Sequence, residues 1–140
     1  MKKLLVCLVT LVGCQQSGDK KNVEQVHTQV MAIHDEVMPR SEELEDLKEA
    51  ISHHIDSLSK IKPVPGNFQA RQQEGILINK ALTEADSLMY DWMNNYKADS
   101  IKAMDEAQAK AYLELELKKI TTVKEKINGG IRQAEKFLGN

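Results

Sequence analysis

VEQVHTQVMAIHDEVMPRSEELEDLKEAISHHIDSLSKI, running from Val23 to Ile61, decides the fold of this chain. One set of positions seven apart reads Val23, Val30, Val37, Leu44, Ile51 and Leu58. Its companion set reads Val26, Ile33, Arg40, Leu47, His54 and Ile61, so ten of the twelve are aliphatic. A seam repeating at 3.5 residues belongs to a helix that packs on other helices. Pro39 falls inside the seam, where it removes an amide hydrogen and crowds the carbonyl of Asp35. Val37 and Leu44 nevertheless stay seven apart. The pattern therefore predicts one helix over 22–61, kinked at Pro39.

Lys62 to Asn67, KPVPGN, is the clearest break in the chain. A second helix, predicted over 68–97, carries Ile78, Ala81, Leu82, Ala85, Leu88, Met89, Trp92 and Tyr96 on one face. A third, over 100–138 with Asp99 or Ser100 as cap, carries Ile101, Met104, Ala111, Leu113, Leu117, Ile120, Ile127, Ile131 and Leu138. Gly129-Gly130 reads as a soft spot in it. Short connections make neighbouring helices antiparallel. The expectation is an all-α, up-down-up three-helix bundle or coiled coil, its longest rods spanning ~55–60 Å at 1.5 Å per residue.

Upstream of the bundle, MKKLLVCLVTLVGC opens with Lys2 and Lys3, followed by an apolar core from Leu4 to Val12 that is too short to span a bilayer. Leu11-Val12-Gly13-Cys14 resembles the lipobox of bacterial lipoprotein signal peptides. That resemblance implies removal of residues 1–13 and acylation of Cys14, palmitate being among the expected chains. Residues 14–21 then form the lipidated cysteine and a polar tether, and 22–140 the helical domain. Cys7 leaves with the signal, so one cysteine remains and no disulfide supports the fold. The implied address is the bacterial cell envelope, lipid-anchored to the outer membrane and facing the periplasm.

Charge narrows the partners. The chain has 19 Lys+Arg, 21 Asp+Glu and a formal net charge of -2, which becomes -4 once Lys2 and Lys3 are lost. Such mild acidity argues against nucleic acid. No G-x-S-x-G, H-E-x-x-H or P-loop pattern appears, and His34-Asp35-Glu36 is not on one helical face. The chain is therefore read as a non-enzymatic binding or structural module, without a resident cofactor. His53 and His54 point apart on a helix, and His54 reads as a register device within the seam.

One constellation suggests more. His27, Met31, His34 and Met38 are spaced 4, 3 and 4 apart, while Met89 and Met93 flank Trp92 on the second helix. Folding about the first turn sets residue i beside roughly 129 minus i, and about the second beside roughly 197 minus i. Those heights bring Met89 to Arg40, Met93 to Glu36 and Met104 to Met93. Thioether and imidazole are ligands that Cu(I) or Ag(I) prefers. His34, Met38, Met89 and Met93 are thus candidate soft-metal ligands, with Met31 and Met104 as further members. Core filling around a kink uses the same residues, and so does an adaptable surface for a protein partner or a second copy.

HDEVMP, from His34 to Pro39, together with Asp91-Trp92-Met93, resembles a group of small Bacteroidota lipoproteins often labelled "viral A-type inclusion protein". The resemblance extends over most of the mature chain, including Tyr112-Leu113-Glu114 and Ile127 to Leu138. The family carries no established activity, so it implies place and architecture alone. After Pro39 this chain reads RSEELEDL, where the family pattern is more basic and contains methionine.

Overall fold

The computed structural model describes residues 16–139, and every regular element among them is helical. In chain order these are α1 (Gln16–Val37), α2 (Arg40–Lys60), α3 (Phe68–Asn95), the single turn α4 (Ala98–Ile101) and α5 (Glu106–Leu138). The expected signal segment and Cys14 lie outside the described residues. Helix α1 begins at Gln16, so 16–21 of the expected tether continue the helix. Extending a nucleated helix costs little, and no proline in that stretch stops it.

Between α1 and α2 only Met38 and Pro39 intervene. Pro39 keeps a helical backbone, with φ −65° and ψ −17°. The Met38 amide still donates to the His34 carbonyl at 2.8 Å, and Ser41 donates to Met38 at 3.2 Å. Val37 and Leu44 on either side are both fully buried, so the seam passes the proline in register. Arg40 and His54, its two interruptions, are half-buried. Arg40 bonds Glu43 and Asn128. His54 meets the ring of Phe137 edge-on, at 5.5 Å between centroids.

Helix α5 touches α1, α2 and α3, and α2 also packs on α3. Its buried positions are Ala109, Leu113, Glu116, Ile120, Val123, Ile127, Gly130 or Ile131, Ala134 and Phe137, alternating three and four apart. This seam differs from the expected one. Ala111 is exposed, and Leu117 and Leu138 lie at its flank. The physical reason is that Glu116 and Gly130 occupy seam positions and interrupt the apolar signal. Gly130 is no soft spot: a Cβ there would lie 3.0 Å from Leu82 Cδ2, so the missing side chain lets α3 and α5 approach. Gly75 of α3 does the same toward Ile51, Ile55 and Phe137, at 3.1 to 3.3 Å.

The start of α5 also departs from expectation. Asp105, not Asp99 or Ser100, caps it, accepting the Gln108 amide at 2.9 Å while the Gln108 side chain accepts the Asp105 amide. This reciprocal box satisfies two otherwise orphaned donors. Residues 96–105 therefore form a longer connection, containing α4, than a two-residue turn. At the other end Gly139 closes α5 in a left-handed conformation, φ 88°, its amide donating to Glu135.

Candidate functional site

Aromatic side chains gather where α1, α3 and the start of α5 meet. Trp92 and Tyr96, one turn apart on α3, stack at 4.8 Å between ring centroids. Tyr96 stacks in turn on Tyr112 of α5 at 6.1 Å and on His27 of α1 at 6.5 Å. His34 lies 5.7 Å from the Trp92 ring. The Tyr112 hydroxyl accepts the Lys97 amide at 2.7 Å, which pins the end of α3 to α5.

Beside this stack a groove of about 600 Å³ opens between α3 and α5. Trp92, Asn95, Leu88 and Asp91 form one wall, Tyr112, Leu115, Lys119 and Val123 the other, with Glu116 and Lys97 also lining it. Glu116 is 3% exposed, the single buried charged side chain among the described residues. Its carboxylate accepts from Lys119 Nζ at 2.8 Å. Trp92 is 6% exposed and its indole Nε1 has no hydrogen-bond partner, as is true of the Tyr96 hydroxyl. Burial, then Tyr112 and Glu116 nearby, pushes the Tyr96 hydroxyl up to about 12. It therefore stays a neutral donor through the physiological range. A second groove, of about 340 Å³, lies at the outer end between Val23, His27, Ile101 and Met104.

The expected soft residues are only partly brought together. Contacts of Asn79 with Lys48, Gly75 with Ile51 and Trp92 with His34 set residue i of α3 near roughly 126 minus i, three short of the expected height. Trp92 meets His34, where the expected height set it level with Val37. Tyr96–Tyr112 and Leu82–Gly130 set α3 and α5 at roughly 210 minus i, not 197. Met104 therefore does not lie level with Met93; it sits in the connection, on the outer groove beside His27. The cause is the α4 turn and the later cap at Asp105, which delay α5.

Of the four candidate ligands, Met89 is wholly buried in the core and Met93 packs against that core, half-buried. His34 is half-buried and shares a hydrogen bond with Asp35 at 2.9 Å. Met38 is exposed. No group of three or more His, Cys, Asp or Glu side chains comes together as a metal site among the described residues. No described helix is long and apolar enough to cross a membrane.

Glu116 is not among the residues that the sequence marks as a site, and Tyr112 enters there only within Tyr112-Leu113-Glu114. A strict count of three and four from Leu113 to Ile120 puts Glu116 on the seam, and that count alone was the available signal. Comparison with protein-family models, curated proteins and solved structures finds no match to this chain.

Proposed function

We propose that this chain is a lipid-anchored bacterial envelope protein whose helical body is a non-enzymatic binding module. The address rests on Leu11 to Cys14 and its resemblance to a lipobox, and on the resemblance of HDEVMP and DWM to envelope lipoproteins. The observation that carries the binding role is a seam carboxylate, Glu116, opening onto an aromatic groove in place of an apolar residue. In this reading α1 with α2, α3 and α5 form an up-down-up three-helix bundle, kinked at Pro39. The helix contacts α1–α5, α3–α5 and α2–α3 support that arrangement. His34, which meets the groove residue Trp92, then stands about 27 Å along α1 from Gln16, so this end of the groove is the one nearer the anchor.

Mass spectrometry of the envelope form tests the anchor. An amino-terminal peptide beginning at acylated Cys14, lost in Cys14→Ser with release of the protein from membranes, is the expected result. A mature chain with a free Cys14 thiol rejects it.

A second reading, soft-metal binding, is favoured by the meeting of His34 with Trp92, which brings His34 to the level of Met89 and Met93. Titration with Ag(I) against a competing chelator, repeated on His34→Ala and Met93→Ala, decides it. Equal weak binding in all three proteins ends this reading.

A further inference from the structure

We propose that the groove between α3 and α5 recognises the amino terminus of a short apolar peptide, with Glu116 as the anchor for its ammonium group. This rests on the binding-module reading above and adds the ligand class.

Start with Glu116. A carboxylate at a helical seam position loses most of its hydration, and a core of this size tolerates that only where a partner compensates. The compensating group is Lys119, at 2.8 Å, whose own side chain is half in solvent. Lys119, already half in solvent, loses little by turning outward, but the buried Glu116 carboxylate lets it go only where another cation takes its place. A ligand ammonium can therefore replace Lys119 at Glu116 while Lys119 swings to the rim.

The rest of the lining selects among amines. Asp91 and Glu116 are balanced by Lys97 and Lys119, so the groove carries no net formal charge and favours neither simple anions nor simple cations. Two carboxylates and two ammonium groups lining one groove offer a counter-charge to each end of a zwitterion. Trp92 and Tyr112 line the groove with Leu88, Leu115 and Val123, an apolar and aromatic wall that suits an apolar side chain. Trp92 Nε1, buried in the wall and without a hydrogen-bond partner, is a donor that calls for an acceptor. An ammonium, an adjacent carbonyl, an apolar side chain and a distal carboxylate are the parts of a short peptide. The groove volume of about 600 Å³ is within the range of small-molecule sites and suits a dipeptide.

Trp92 is the single tryptophan of the chain, so its fluorescence reports the groove directly. The full chain is titrated with the dipeptide Leu-Phe and with N-acetyl-Leu-Phe, which lacks the ammonium but keeps every other group. The expected result is a saturable change with Leu-Phe below about 10 mM, weakened at least tenfold by acetylation. Glu116→Gln, with its helicity checked by circular dichroism, is expected to reduce the discrimination between the two peptides to under twofold. No saturable change with Leu-Phe overturns the proposal, as does equal affinity for both peptides in the unmodified chain. That comparison needs no variant, so misfolding of Glu116→Gln leaves it decisive. Acylation at Cys14 is scored separately by mass, so failure here stays distinct from failure of the anchor.

Discussion

Gly130 of α5 lies so close to Leu82 of α3 that a Cβ on the glycine would stand 3.0 Å from Leu82 Cδ2. Its neighbour Gly129 has open space, with only Arg132 Nη2 at 4.0 Å. Adjacent glycines in one helix thus have opposite meanings, and Gly75 is hemmed in by three side chains at once, Ile51, Phe137 and Ile55 at 3.1 to 3.3 Å.

Alanine at each glycine should separate these cases. Gly129→Ala is expected to stabilise by about 0.5–1 kcal/mol, through helix propensity alone. Gly75→Ala is expected to destabilise by roughly 1–3 kcal/mol, since three neighbours must yield at once. Gly130→Ala should fall between them, because the end of the Leu82 side chain can turn aside. Urea midpoints at constant slope give the comparison, and a gain from Gly75→Ala would contradict the packing described.

Glu116→Leu should leave stability unchanged or raise it by up to about 2 kcal/mol, because a buried carboxylate gives way to a seam residue and Lys119 stays solvated. Leu-Phe binding should be lost in the same variant. A residue whose removal improves folding but ends binding is held in place by function. Thermal denaturation and Trp92 fluorescence on one sample read both effects. A large loss of stability would instead make Glu116 a structural group.

Asp105→Ala should cost about 1 kcal/mol, the worth of a helix cap. Gln108→Ala should cost less, and the double variant less than both together, because the two side chains close one box. Chemical denaturation of the three variants measures the coupling. Additive losses would mean the box does not act as a unit.

Tyr96 makes an alkaline prediction. Its hydroxyl, at about 12, is raised above the ~10 of an unfolded chain, so the folded state holds this proton more tightly. The associated stability is complete below about pH 10 and drains away as pH rises toward 12. Ultraviolet titration should show one phenolate forming only near pH 12, absent from Tyr96→Phe. Its appearance near pH 10 in the folded protein would show that Tyr96 is solvated.

What the sequence determined by itself was local and periodic. The seam from Val26 to Ile51 crosses Pro39 in register, and Phe68 opens α3 after KPVPGN, because aliphatic spacing and proline act through the nearest few residues. The same spacing and a short turn brought Trp92 to this stretch of α1, although level with Val37 rather than His34. Only the tertiary structure decided the height of α5. Residues 96–105 hold an extra turn, and the cap at Asp105 shifts α5 by about 13 residues relative to a tight hairpin. That shift moves Met104 away from Met93 and brings Tyr112 to Tyr96 and Glu116 into the Trp92 groove. A charged residue on a seam looks like a break in the pattern when read along the chain. Its place in a groove becomes visible once a second helix supplies the opposite wall.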